Sequence, residues 1–300
     1  MSQINLSDVD TYIVNLYQYI NQLIKDGKNK KYHDKTSIKY TLTDNVFRDE
    51  ILFSFIVGVK NRPEQTLLSM KSLCQNLPDD VEVILIEDKS NNLINIDELP
   101  KCIKYFLVDS GLDEWSRAHI LNYGSKQARG KFLVPWDVCF LCNSSFVSSL
   151  ISYISKININ KYLTSISVYE SEDTKSRKKG DGYGNLWIYS KQQFESLGGF
   201  NDVGSEDKDL ENRLCKKFNL KTLHSCYVDP LLYVIHMSHN KTFTVKTAKT
   251  CDIKLLDRNE FIKEKLEQKE EKLEQKEEKL EQKEEKLEQK EEKLEQKEEK

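Results

Sequence analysis

The 300-residue sequence predicts an α/β protein, an open and mostly parallel sheet flanked by helices. Two observations carry the prediction. The strands read as continuous apolar runs, "ILFSFIVGV", "VEVILIED", "IKYFLVD" and "KFLVPWD", as strands buried on both faces do. Helical patterns fall between them in β-α-β-β-α-β order. Acids close the runs: Glu87 and Asp88, then Asp109, then Asp137. Ligands of such sheets gather at the carboxyl ends of the strands, so these acids mark the edge to watch.

Residues 7–26, "SDVDTYIVNLYQYINQLIKD", predict an amphipathic helix. Ser7 suits its N-cap, Ile13, Leu16, Tyr17, Ile20, Leu23 and Ile24 share one face, and Gly27 stops it. The lysine-rich stretch behind it reads as a solvated linker. Residues 1–45 are thus an N-terminal helix and linker, and the main domain spans 46–258. Pro63 opens the helix "PEQTLLSMKSLCQNL" at its first turn. "SRAHILNYGSKQAR" is a helix ended by Gly130. In "KFLVPWDVCFL", Pro135 removes a ladder hydrogen bond, and a carboxylate in a core is costly. Both are accounted for if the strand stops there and Asp137 stands on the rim.

The second half is less regular. "KYLTSISVYE" and "LWIYS" predict strands, "SEDTKSRKKGDGYGN" a polar loop, and "KQQFESLGGF" a helix with a glycine stop. "EDKDLENRLCKKFN" predicts a helix capped by Ser205. Its first turn is acidic and its end basic, as the helix dipole favours. "LKTLHSCYVDPLLYVIHMSHN" gives one or two strands ending at His236 and His239.

Residues 259–300 repeat "EKLEQKE", with Leu266, Leu273, Leu280, Leu287 and Leu294 seven apart. One apolar residue per heptad is half of what a coiled-coil seam needs. Charged neighbours at i+3 and i+4 within the repeat have like sign, so a lone helix gains no ion pairs from it. The tail reads first as a solvated helix. With Leu at heptad position a, Lys falls at g and Glu at e, which permits a weak parallel coiled coil and a homo-oligomer.

A net charge of −3 provides no field to recruit nucleic acid. No apolar run approaches the roughly 20 residues that cross a bilayer. "MSQINLSDVDTY" has neither the basic nor the apolar part of a signal peptide, so a cytoplasmic location is expected. The seven cysteines are scattered. Cys139 and Cys142 have C-x-x-C spacing without a second pair, and buried free thiols are the expectation.

Four pieces, in order, carry the chemistry. They are "VGVKNR" with Arg62, "LIEDKS" with Glu87 and Asp88, "WSRAHILNYGSKQARGKFLVPWD" with Arg117 and Asp137, and "GGFNDVGSEDKDLENRL" ahead of "VIHMSHN". This order resembles the GT-A glycosyltransferases, specifically family 2 members and the galactosyltransferase-like group with an "ED" helix, over about Phe53 to Asn240. The resemblance implies a GT-A, Rossmann-like sheet. It also implies a metal-dependent, inverting transfer of a hexosyl or N-acetylhexosaminyl unit, as in polysaccharide biosynthesis. The donor is a nucleotide-sugar, UDP-linked by preference, and the acceptor a glycan or a glycolipid-linked sugar. Charge builds on the departing nucleoside diphosphate, and a divalent metal, Mn2+ or Mg2+, with cationic side chains stabilises it.

Residue by residue, the resemblance assigns donor binding to Arg62, Glu87, Asp88, Arg117 and Asp137. It assigns the metal to Asp137 with His236 or His239, and the general base to Asp207 with Glu206 in support. Trp187 in "GNLWIYS" reads either as a ring offered to the acceptor sugar or as a core tryptophan. The helix dipole is expected to keep Asp207 ionised near neutral pH. The family's D-x-D motif is altered here. Pro135 stands at its first Asp, Trp136 in the middle, and Asp137 at the second Asp. Pro135 is the feature that favours an alternative of a different class, an inactive GT-A module kept for sugar binding or scaffolding and oligomerised by its tail, and the intact "ED" pair with His236 argues against it. A sugar nucleotidyltransferase would want a glycine-rich basic loop after the first strand, which "GVKNRPEQT" lacks.

Overall fold

The computed structural model describes residues 9–26, 51–112, 114–173, 178–179, 182–203, 205–238 and 252–298. Ser7, the linker over 27–50 and His239 lie outside the described residues. The chain divides into two units, Met1–Lys254 and Leu255–Lys300.

The first unit begins with helix α1 (Val9–Lys25) and runs through β1 (Phe53–Val59), α2 (Pro63–Leu73), β2 (Val81–Asp88), β3 (Ile103–Asp109), α3 (Arg117–Gln127) and β4 (Phe132–Trp136). It continues with β5 (Phe140–Leu141), α4 (Phe146–Lys156), β6 (Tyr162–Glu170), β7 (Gly182–Ser190), α5 (Lys191–Ser196), α6 (Glu206–Phe218), β8 (Lys221–His224) and β9 (Tyr233–His236). A two-residue strand, β10 (Lys254–Leu255), falls on the boundary between the units. The sheet order is β3-β2-β1-β4-β7-β6-β9-β5, with β8 beside β6. The β3-β2-β1-β4 half is parallel throughout. β7 pairs antiparallel with β4 and β6, and the other two neighbours of β6 are parallel to it.

Alternation along the strands splits the apolar residues between two faces. Val83 and Leu85 of β2 join a cluster with α1, α2 and α4, while Ile84 and Ile86 join one with α3 and α6. Helix α3 lies close on the sheet, since a Cβ at Gly124 would collide with Ile56 and Ile86. Helix α1 belongs to the core. Its Ile13, Leu16, Tyr17 and Ile20 are buried, and the Tyr17 ring stacks on Tyr233 of β9 at 4.7 Å. The Tyr17 hydroxyl donates to the Tyr233 carbonyl at 2.9 Å, and the Tyr233 hydroxyl donates to Asn21 Oδ1 at 2.8 Å. The N-terminal helix therefore backs the strand that ends at His236.

Pro135 sits opposite Ile56 of β1, but β7 pairs with β4 only at Phe132 and Leu133. Beyond Leu133 the strand has a partner on one side only, which is where a proline can be accommodated. Helix α4 and the first residues of β7 had no counterpart in the sequence reading.

At the other end of the sheet, Glu82 is 4% exposed and fully engaged. It accepts from Ser54 Oγ at 2.6 Å, Lys104 Nζ at 2.6 Å and the Arg129 amide at 2.6 Å. Burial pushes its carboxyl up, but the bonds from Lys104, Ser54 and Arg129 outweigh that and hold it at about 2. A carboxyl lower in the folded than in the unfolded chain contributes stability that is complete above the unfolded value, about 4.5, and is lost as pH falls through about 2. The contribution is on the order of 3 kcal/mol. Urea titrations from pH 6 to 2 are expected to show a steeper acid loss in the wild type than in Glu82→Gln. Equal slopes would remove Glu82 from the acid response.

The second unit is helix α7 (Arg258–Glu298). Asp257 caps it, its Oδ1 accepting from the Asn259 and Glu260 amides at 2.8 and 3.0 Å. Leu266, Leu273 and Leu280 are 56%, 50% and 54% exposed. An ion pair, Lys263–Glu267 at 3.8 Å, supports the first turns, where the like-charge repeat has not yet begun.

Candidate active site

The site forms where β1, β2 and β4 end and where α3 and α6 begin. Asp137 follows the last residue of β4, and its side chain is 40% exposed on the rim. Arg117 is the first residue of α3. Ser116 caps that helix by accepting from the His119 amide at 3.2 Å, and Ser116 Oγ donates to Asp202 at 3.1 Å. The helix start is thereby fixed, and the guanidinium reaches across the rim. Its Nε donates to Asp137 Oδ1 at 2.9 Å, and one terminal nitrogen donates to Glu206 Oε1 at 3.1 Å and Asp207 Oδ2 at 3.2 Å. One arginine thus gathers three carboxylates from two distant parts of the chain.

Glu206 and Asp207 open α6, and the loop before them is clamped from two sides. Asn122 of α3 donates to the Phe200 carbonyl at 2.8 Å and accepts from the Phe200 amide at 2.9 Å. Arg213 donates to the Leu197 and Gly199 carbonyls at 3.1 and 2.7 Å. Gly199 has φ +79°, and a Cβ there would collide with Asn122. Asp209 holds Arg213 at 2.7 Å and Asn201 at 3.0 Å, a larger duty than complementing the helix dipole. Ser205 occupies the N-cap position, but its side chain makes no capping bond.

The acids at the helix start differ in exposure. The Glu206 side chain is 11% exposed and that of Asp207 39%. The carboxyl of Asp207 is raised above its ordinary value. Desolvation pushes its carboxyl up, Arg117 opposes, and the neighbouring charges of Asp137 and Glu206 add to the rise.

Asp88 and Glu87 face opposite sides of the sheet. Asp88 is buried and accepts from the Ser110 amide at 3.0 Å, Ser110 Oγ at 2.9 Å and Lys60 Nζ at 3.3 Å. Glu87 accepts from Tyr105 at 2.6 Å and from the Ile94 amide at 3.3 Å, and it stays within the fold. Arg62 is the N-cap residue of α2. Burial pushes the Cys139 thiol well up, with Asp137 adding and Arg62 and Arg117 opposing, which puts Arg62 at the same end of the sheet. Trp187 is 6% exposed in the cluster with α6, its ring 6.2 Å from that of His224, so little of its face is open. Cys139 and Cys142 are buried free thiols.

His236 ends β9, opposite Phe140 of β5. The Met237 amide donates to the Cys139 carbonyl at 2.7 Å, and the Phe140 amide to the Asp137 carbonyl at 2.9 Å. His236, at the end of β9, and Asp137, in the turn that leads into β5, therefore lie on one rim. His236 Nδ1 lies 3.1 Å from Glu170 Oε1, whose side chain is 2% exposed. A buried carboxylate on one ring nitrogen is the arrangement that orients an imidazole toward a metal through the other. Among the described residues, no three His, Cys, Asp or Glu side chains converge to hold a metal on their own. The donor set fits a cation completed by donor phosphates and water, as Mg2+ and its relatives are commonly held.

Sequence reading did not find Lys60, Ser110, Asn122, Arg213 or Glu170. Lys60, Ser110, Asn122 and Glu170 act through partners remote in sequence, and Arg213 clamps carbonyls outside its own helix, so no local pattern signals these roles. Lys60, Asn122 and Arg213 lay within the motifs that carry the chemistry, yet nothing in those motifs marked their roles.

An α/β sheet with acids and an arginine at the strand ends and an acidic helix start defines a GT-A glycosyltransferase. The chain belongs to glycosyl transferase family 2, whose model matches residues 54–205. Among solved structures it is similar to the mannosyltransferase PcManGT from Pyrobaculum calidifontis in complex with GDP-Man and Mn2+. The identity is 13% over 76% of this chain and 68% of that one, with a TM-score of 0.49. It is also similar to S. aureus TarS 1–349 in complex with UDP-GlcNAc, at 15% identity over 66% of this chain and 62% of that one, with a TM-score of 0.49. Against the longer S. aureus TarS chain it covers 37% of that chain, with a TM-score of 0.45. No curated protein matches. No helix among the described residues is long and apolar enough to cross a membrane.

Proposed function

We propose that the protein is a metal-dependent, inverting glycosyltransferase that moves a hexosyl or N-acetylhexosaminyl unit from a UDP-sugar to a glycan or glycolipid-linked acceptor. One observation carries the reading: Arg117 joins Asp137, the candidate metal and donor ligand, to Glu206 and Asp207, the candidate acceptor-side acids. Donor and acceptor chemistry then meet at one point.

In this reading Asp137 and His236 hold the cation, with Glu170 behind the imidazole. Bound there, a divalent cation supplies charge stabilisation for the departing diphosphate. Asp88 and Lys60 face the nucleoside, and Arg62 stands toward the phosphates. Asp207, the more exposed acid of its pair, accepts the proton of the attacking acceptor hydroxyl. Glu206, held by Arg117, fixes the approach. Attack at the anomeric carbon breaks the bond to the diphosphate in the same step and inverts the centre. Pro135 and Trp136 take no part in binding, because both are strand residues inside the sheet. The unit Leu255–Lys300 adds no chemistry, and parallel pairing through its exposed leucines is its proposed role.

The test is calorimetry of UDP with and without Mn2+, followed by a panel of nucleotide-sugars scored for Mn2+-dependent hydrolysis. Wild type is expected to bind UDP far more tightly with Mn2+, and Asp137→Ala to lose that gain. Equal UDP affinity with and without metal in both proteins would overturn the metal assignment.

A further inference from the structure

The guanidinium of Arg117 touches the candidate metal ligand itself. Its Nε is 2.9 Å from Asp137 Oδ1, and its side chain is 17% exposed while those of Asp137 and Asp207 are 40% and 39% exposed. The cation is thus packed between carboxylates that face outward. An arginine side chain keeps its charge in a protein, so the positive charge here is permanent. A divalent ion arriving alone at Asp137 meets this fixed positive charge at contact range. The donor brings a counter-charge: a diphosphate offers the guanidinium paired oxygens, which its planar fork accepts well. The start of α3 is anchored through Ser116 and Asp202, so only the side chain has to move.

We propose that Arg117 stands in for the divalent cation until the donor arrives, weakening binding of metal alone and making metal and nucleotide enter together. This rests on the metal reading above. The inference sets Arg117 apart from an ordinary phosphate clamp, whose loss would weaken nucleotide binding but leave the affinity for free metal unchanged. It also sets it apart from a merely structural arginine, whose loss would loosen the site and weaken everything.

The test uses Mn2+ alone as the probe, titrated into the full chain by electron paramagnetic resonance, then repeated in saturating UDP. A charge in contact shifts the proton affinity of a carboxylate by about 1–3 log units, and a dication feels that field at least as strongly. Arg117→Gln is therefore expected to bind Mn2+ alone about tenfold or more tightly than wild type. The strengthening of Mn2+ binding by UDP should shrink correspondingly, because the coupling between the two ligands runs through Arg117. Arg117→Lys keeps the charge and should stay within a few-fold of wild type for Mn2+ alone. Arg117→Met, which keeps the packing of the stem, replaces Arg117→Gln if the latter does not fold. A folded neutral variant that binds Mn2+ alone no more tightly than wild type overturns the proposal while leaving the metal reading intact. Absence of Mn2+ binding in wild type and variants, even with UDP, overturns both.

Discussion

Asp207→Asn is expected to lower turnover by about 10²–10⁴-fold, the usual contribution of a positioned base. Asparagine keeps the shape and an oxygen that can accept from Arg117, but it cannot take a proton. Donor affinity should stay within a few-fold, since the loss is confined to the transition state. The raised carboxyl of Asp207 adds a pH signature. Its acid form persists to higher pH than that of an ordinary aspartate, so turnover should begin to fall on the acid side at a pH above the usual aspartate range. Asp209→Asn is the contrast. Asp209 holds Arg213 and through it the turn at Gly199, so its replacement should register in thermal unfolding while turnover stays within a few-fold. If Asp209→Asn were the crippled variant and Asp207→Asn near normal, the proton would go elsewhere on this helix. If neither changed turnover, the acids would be only a helix start, and the inactive-module reading would gain the ground.

The parallel half of the sheet was legible because strands buried on both faces must be apolar at every position, and "ILFSFIVGV" and "VEVILIED" are. Helix α4 was not legible. Ser148, Ser149, Ser152 and Ser155 dilute it, although Phe146, Val147, Leu150, Tyr153 and Ile154 recur with the spacing of one buried face. β7 was read as starting at Leu186 because Gly182 and Gly184 signal a loop, yet the strand begins at Gly182. The candidate site was visible as separate pieces. What joins them was not, since Arg117 and Glu206 lie 89 residues apart and only the fold brings them within hydrogen-bond reach. The same limit explains Asp207. Its helix position and its neighbour Glu206 could be read locally, but the charges of Asp137 after β4 and Arg117 on α3 reach it only through the fold.

Trp136→Ala is expected to destabilise the first unit by about 3–5 kcal/mol, as truncation of a buried tryptophan does. Trp136 is 1% exposed. Its ring meets Phe55, Phe140 and Phe146 at 5.6, 5.6 and 5.7 Å, two of them edge-on. Its Nε1 donates to Ser69 Oγ at 2.8 Å, and Ser69 Oγ donates to the Phe140 carbonyl at 2.7 Å. The indole therefore fastens both ends of the turn from Asp137 to Phe140. Trp136, the middle residue of the altered D-x-D motif, is thus an anchor under the one aspartate that remains. Trp136→Phe keeps most ring contacts and loses the bond to Ser69, so it should cost less, about 1–2 kcal/mol. Urea unfolding followed by far-ultraviolet circular dichroism measures both without relying on the removed fluorophore, provided the slope is unchanged. In mild conditions where both variants are folded, Trp136→Ala should also weaken Mn2+-dependent UDP binding more than Trp136→Phe, because Asp137 loses its fixed aim. A loss below about 1 kcal/mol in Trp136→Ala, with UDP binding unchanged, would show that the rim holds Asp137 without the indole.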